Sequence, residues 1–187
     1  ELLLLLCFTD NPTNGTSFSA VPSGWTQLYG NASKVADTEC AIFYKVSDGS
    51  EGDVSLTMHA SLQTGVYYMR VSGVGGTPIV LGREEISAFG SVDLLPSDTT
   101  VDNTLVLGAV GFDGGDGEPF SVDSGTGWPS GEFPAGQNLE VGSSGSDLSC
   151  GWITREVATA GDSTNEASVD ADRGNDGFRS IVVMIQP

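Results

Sequence analysis

Histidine is nearly absent from this 187-residue chain: His59 stands alone. A Ser-His-Asp arrangement would have to use it, because a hydroxyl nucleophile needs a neighbouring base. It shares one face of an alternating segment with Ser55 and Thr57, a solvent-facing pattern, and no Gly-x-Ser-x-Gly elbow accompanies it. Basic residues are scarce as well. Seven Lys and Arg stand against 25 Asp and Glu, a net charge of −18. A surface this acidic repels phosphate, which argues against nucleic acid and against an anionic membrane as partners. Cysteine appears three times, at Cys7, Cys40 and Cys150, with no Cys-x-x-Cys or other metal spacing. There is no apolar run long enough to span a bilayer, no heptad pattern, no Gly-X-Y period and no internal repeat. Transmembrane, coiled-coil, collagen-like and solenoid architectures all drop out.

What remains is a chain rich in turn formers. It has 26 glycines, with abundant Ser, Thr and Asp, residues that serve turns and strand ends better than helix interiors. Apolar residues make up 39%, enough for a core, and the length suits one domain over residues 1–187. The charge is uneven: net −5 over residues 1–90 and net −13 over residues 91–187. Acidity of this kind keeps particles soluble and apart, and suits salty surroundings where self-repulsion is screened.

Period-two alternation is the strongest local signal. Val54, Leu56, Met58 and Ala60 fall on one face of Asp53–Ala60. Cys40, Ile42, Tyr44 and Val46 share a face, as do Leu148, Cys150 and Trp152. Ile181–Gln186 is largely apolar on both faces, the mark of a central strand. Further strands are expected at Leu2–Phe8, Val66–Ser72, Pro78–Leu81, Val92–Leu95 and Thr104–Gly111, with weaker ones at Leu139–Val141 and Glu166–Val169. Turn signals separate them, among them Asp48-Gly49, Gly75-Gly76 and Gly142–Gly145. Arg83–Phe89 offers at most two helical turns. The expectation is an all-β, antiparallel β-sandwich, jelly-roll-like, with long Gly-rich loops. Residues 113–145, rich in Gly and containing Pro119, Pro129 and Pro134, are expected to form a long excursion at an exposed rim. The leucine run at Leu2–Leu6 resembles a signal-peptide core, but it lacks a basic flank and a small-residue cleavage site. It reads as a buried strand whose abrupt beginning implies a missing upstream piece.

Candidate chemistry is sparse. Glu140 and Glu156 lie on or near expected strands, and a glycosidase pair would need two such carboxylates facing across a cleft. With so many acids, the plainer reading is solvated surface. Asp113–Glu118 and Asp170–Asp176 each gather carboxylates in a loop, the ligand type Ca²⁺ prefers, yet neither has EF-hand spacing or its closing Glu. No catalytic residue, metal ligand or cofactor is therefore assigned. Of Trp25, Trp128 and Trp152, Trp152 belongs to an apolar face, while Trp128 in the Gly-rich excursion is the one expected to be exposed, as a sugar-stacking ring would be. Asn14-Gly15-Thr16 and Asn31-Ala32-Ser33 fit glycosylation triplets. Cys40 and Cys150 read as buried free thiols, with a bridge between them left open.

Six segments, in order, carry a resemblance: Glu1–Phe8; Pro22-Ser23-Gly24-Trp25; Ile42-Phe43-Tyr44-Lys45-Val46; Tyr67–Val74 with Pro78-Ile79; Asp102-Asn103-Thr104-Leu105-Val106-Leu107; and Val182–Pro187. Together the chain resembles a domain of phage structural proteins and bacterial secreted proteins. Here the leading Gly-Asp of the family's first strand is missing. The resemblance implies a β-sandwich used for display or assembly, with no catalytic residues to carry over. The expected function is that of a virion structural protein, either a capsid decoration (cement) protein or a head or tail fibre module. It would sit at the virion surface or otherwise outside the cell, bound to the major capsid or another virion protein and to copies of itself, trimers preferred. The alternative is a secreted carbohydrate-binding or adhesive module of a bacterium.

Overall fold

The computed structural model describes residues 1–10, 18–30, 38–58, 63–74, 76–86, 92–94, 97–113, 120–125, 128–129, 131–134, 136–141, 148–161, 163–164, 167–170 and 178–187. They form strands and connecting turns, with no helix among the described residues. In chain order the strands are β1 (Leu2–Asp10), β2 (Phe18–Ala20), β3 (Thr26–Gly30), β4 (Thr38–Val46), β5 (Thr57–Met58) and β6 (Thr64–Val71). There follow β7 (Ile79–Ile86), β8 (Val92–Leu94), β9 (Ser97–Asp98), β10 (Thr104–Asp113), β11 (Ser121–Gly125) and β12 (Gly131–Glu132). The last five are β13 (Asn138–Val141), β14 (Leu148–Val157), β15 (Ser163–Thr164), β16 (Ala167–Asp170) and β17 (Phe178–Ile185).

The expected all-β antiparallel sandwich is present. Its first sheet has the order β3-β4-β1-β6 and its second the order β13-β14-β10-β17-β7. The two stack with strands aligned: β6 lies over β13 and β14, β1 over β14 and β10, and β4 over β10 and β17. Between them Leu2, Leu4, Leu6, Phe8, Cys40 and Ile42 meet Leu107, Ala109, Cys150, Ile181, Val183 and Ile185. The sheets come close because β10 is notched: a Cβ on Gly111 would run into the ring of Phe8.

A third sheet, β12-β11-β16-β8, covers the far side of the second. Val106, Val110, Phe112, Ile153 and Val182 of the second sheet pack there against Leu94, Phe120, Val122, Trp128, Phe133 and Val169. The second sheet is thus dry on both faces, which is why β10 and β17 are apolar at successive positions rather than alternate ones. This corrects the reading of residues 113–145. The described residues there include the short strands β11, β12 and β13, and Phe120, Val122, Trp128 and Phe133 are at most 5% exposed. Local composition hid an aromatic core contribution.

Two further expectations change. Arg83–Ile86 is strand, not helix: β7 runs on through Ile86, paired with β17 from Ile79↔Met184 to Phe178↔Ile86. Ladder hydrogen bonds to a long neighbour outweigh the weak helix preference of Arg-Glu-Glu. Asp53–Ala60 yields only the two-residue β5, with His59 and Ala60 outside the described residues. Val54 and Leu56 do turn to one side, but they lie on the outer face of the first sheet against Leu5, Cys7, Ala41 and Phe43, without ladder pairing. Alternation there records one buried face and not a paired strand. That cover buries β1 on both faces, and all nine of its residues are buried. Each leucine so enclosed contributes about 1.5–3 kcal/mol. The signal-like leucine run is a strand closed in from two sides.

Candidate functional site

The outer face of the first sheet carries a hollow of about 510 Å³, lined by Leu5, Val54, Leu56, Val66, Tyr68 and Arg70, with Glu51, Gly52 and Asp53 at its rim. Two elements shape it. β6 alternates, sending Tyr67, Met69 and Val71 into the sandwich core and leaving Val66, Tyr68 and Arg70 outside. The segment 51–56 lies across the face and supplies the opposite wall. Tyr67 anchors β6 from within, its hydroxyl donating to the carbonyls of Cys150 (2.8 Å) and Gln137 (3.2 Å). Val66 is 37% and Tyr68 45% exposed, large apolar groups left at the surface. The edge of Trp25 meets Tyr68, ring centroids 6.2 Å apart at 66°. The expected Pro22-Ser23-Gly24 turn delivers Trp25: its amide donates to the Pro22 carbonyl at 3.0 Å, and Gly24 takes φ 79°.

Arg70 is the one base among the described residues lining the hollow, and acids surround it. Arg70 bridges Glu1 (Nη1–Oε2, 3.2 Å) and Glu51 (Nη2–Oε2, 3.5 Å). Glu51 in turn accepts from the amides of Asp48 (2.9 Å) and Gly49 (3.3 Å), closing the 47–51 turn. The Ser47 hydroxyl, followed by these amides, holds the Glu51 carboxyl below its usual range. A hydrogen bond with the Tyr68 hydroxyl, aided by Glu1 and Glu51, raises the Arg70 guanidinium. The arrangement is an apolar floor with an ion-paired, net acidic rim.

The residues singled out from the sequence are scattered. Trp128 is 5% exposed inside the core between the second and third sheets, which overturns its reading as an exposed sugar platform. Trp152 packs half-buried against the main core, as its face implied. Glu140 and Glu156 are both exposed, and on β14 their neighbours are Ser149 and Glu156 itself, seven positions apart. At strand rise that is roughly 23 Å, far beyond the ~5–10 Å separation of a glycosidase pair. Residues 114–119 and 171–177 of the acidic loops, His59 and both glycosylation triplets lie outside the described residues. Among the described residues no three His, Cys, Asp or Glu gather as metal ligands would. Cys7, Cys40 and Cys150 are buried and free, so Cys40 and Cys150 are not bridged. Burial pushes the thiols of Cys7 and Cys150 up to about 12 and raises that of Cys40 further. These are packing groups, not nucleophiles.

Sequence reasoning missed the hollow, although one signal was available. Val66, Tyr67, Tyr68, Met69 and Val71 make β6 apolar on both faces, like the interior strands, yet β6 ends the first sheet. In comparisons with protein-family models, curated proteins and solved structures, nothing matches the chain.

Proposed function

We propose that the chain is a structural module of a virus particle, a capsid decoration protein or a head or tail fibre module displayed at the virion surface. It acts without turnover, held to the major capsid or another virion protein by apolar and backbone contacts, with its acidic exterior facing solvent. The observation that carries the reading is where the motifs of the resemblance fall. Glu1–Phe8, Ile42–Val46, Tyr67–Val74, Asp102–Leu107 and Val182–Pro187 contribute β1, β4, β6, β10 and β17, the strands that build the two main sheets. Five of the six segments of the likeness to phage structural domains thus lie in framework strands, and the sixth, Pro22-Ser23-Gly24-Trp25, is the turn that leads into β3. A net charge of −18 on an exterior of this kind supports the same reading, since it disfavours clumping of particles. The burial of Trp128 removes the ring on which the sugar-binding alternative leaned.

The test is purification of particles on a density gradient, followed by quantitative mass spectrometry and immunogold labelling of the intact shell. The expected result is a fixed ratio of this chain to the shell protein, with label on the outside. Recovery only as a free secreted protein, or in the polysaccharide-bound fraction, would overturn the proposal.

A further inference from the structure

The fold blunts its sheet edges at every place but one among the described residues. β3 carries a register shift between Gln27 and Tyr29, and β7, which follows Pro78, shifts between Val80 and Gly82 opposite Val183 and Val182. β13 has four residues and includes the exposed Glu140; β12 and β8 have two and three. Bulges, shortness, proline and charge are the usual means of stopping a sheet from recruiting another strand. β6 has no bulge, no proline and full length, and its one charge, Arg70, is held by Glu1 and Glu51. It runs eight residues, keeps unbroken register with β1 from Leu2↔Val71 to Thr9↔Thr64, and has β1 as its one ladder partner among the described residues. In an antiparallel ladder alternate amides and carbonyls point away from the existing neighbour, so half of the backbone groups of β6 face outward.

The side chains match. β6 carries apolar groups on both faces, Tyr67, Met69 and Val71 inward and Val66 and Tyr68 outward, the last two left exposed. Its electrostatics match too. Thr64–Val71 contains no acid in a chain with 25, and its single base, Arg70, is already paired with Glu1 and Glu51. Two such acidic molecules meet with least repulsion along this strip.

We infer that β6 is the seam through which two copies of this chain associate, β6 against β6 antiparallel about a two-fold axis, joining their first sheets into one of eight strands. A two-fold through Tyr67 sets Val66 of each copy opposite Tyr68 of the other, an aromatic–β-branched pair of the favourable kind, with the hollow floored by Leu5, Val54 and Leu56 beside it. No like charges stand opposite, since Arg70 faces Thr64. Such a contact is isologous and closed, so it stops at two copies. It concerns the isolated protein and stands whether or not the virion reading does.

The test is sedimentation velocity on the whole chain over a concentration series, at low salt and at about 1 M salt, where charge is screened within ~3 Å. A monomer–dimer equilibrium that tightens with salt is expected. Val66→Lys and Tyr68→Lys each weaken it by about tenfold or more, because each seats two new charges on the seam. Ile79→Lys, an equally exposed apolar position on the β7 edge, leaves it unchanged. Circular dichroism and urea midpoints confirm that the lysine variants remain folded. If a lysine variant fails to fold, amide exchange of the unaltered protein decides: protection of residues 65–71 must rise with concentration. A monomer at every concentration and salt, a trimer, or a dimer indifferent to both lysines overturns the inference.

Discussion

Replacing Gly111 by alanine tests how the two main sheets are held together. Gly111 lies on β10, paired with Cys150 and Arg179, and its side faces β1. A Cβ there would meet Phe8 alone among its nearest neighbours: Cε1 at 2.8 Å, Cγ at 3.1 Å, and Cδ1 closer still. Phe8 is fully buried and has no room to swing aside. Overpacking of this kind costs about 1–3 kcal/mol. The smaller unfolded-state entropy of alanine returns about 0.4–1 kcal/mol, because Gly111 is not among the positive-φ glycines. The net expectation for Gly111→Ala is a loss of about 1–2 kcal/mol. Phe8→Ala alone opens a cavity and costs about 3–5 kcal/mol. In the Phe8→Ala background the clash is gone, so adding Gly111→Ala becomes neutral or stabilising by up to about 1 kcal/mol. The cycle therefore predicts a coupling of about 1–3 kcal/mol, well above the ~0.5 kcal/mol scatter of independent sites. Urea unfolding followed by tryptophan fluorescence on the four proteins reads it. Additive losses would refute the notch, and with it the stacking of β1 on β10.

The three thiols supply a pH-dependent prediction. Folding raises their pKa from 9.0, so the stabilisation is complete below about pH 9 and is lost as pH climbs toward about 12. Each thiol then removes up to about 1.4 kcal/mol per pH unit. The urea midpoint should fall steeply between pH 9 and 11, and less so in a variant lacking the cysteines; a thiol reagent at pH 8 should label only the unfolded chain. Rapid labelling of the native protein would contradict their burial. Trp128→Ala should cost about 3–5 kcal/mol in urea denaturation, as a core ring does, where a surface sugar platform would lose almost nothing. Tyr67→Phe should cost about 0.5–1.5 kcal/mol by the same measurement, the net worth of a hydrogen bond, since the Gln137 carbonyl keeps the Trp152 amide as a donor at 3.0 Å.

Much of the fold was legible because strands announce themselves by which sides are dry. β1, β4, β6, β10, β14 and β17 all fall where apolar alternation or doubly apolar runs placed them, and the faces assigned to Cys40, Ile42 and Tyr44, and to Leu148, Cys150 and Trp152, are the faces that pack, while Val46, assigned to the first of them, is 64% exposed at the end of β4. Lys45 and Arg70 point away from those faces and find acids, Asp48 for one and Glu1 with Glu51 for the other. Of the third sheet, β8 and β16 fall where Val92–Leu95 and Glu166–Val169 were expected, but β11, β12 and the aromatic core they bring were not legible. Its strands are short, and its core residues Phe120, Trp128 and Phe133 are spaced among glycines and prolines with no period to betray a common side. Such rings are positioned by turns and by single contacts. One example is the Asn138 side chain, which accepts from the Phe120 amide at 3.1 Å and donates to the Phe133 carbonyl at 2.9 Å. No window of local sequence contains those relations.

The same physics explains why the outer hollow escaped notice and why β6 stands out once the sheets are drawn. A hydrophobic pattern counts covered sides; it does not say what covers them. For Val54 and Leu56 the cover is a sheet they never join, so alternation appears without a ladder. For β17 it is two other sheets, so alternation vanishes although the ladder is complete. β6 presents the remaining combination: apolar groups on both sides, a full ladder along one edge, and Val66 and Tyr68 still in contact with water. Leaving that pair exposed forgoes burial worth about 25 cal/mol per Å². Within one copy no described residue collects that energy, whereas a second β6 collects it on both molecules at once. The measurement that separates a tolerated surface patch from a seam is therefore the response to charge at Tyr68. A patch gains solubility from lysine with no change in mass, and a seam comes apart.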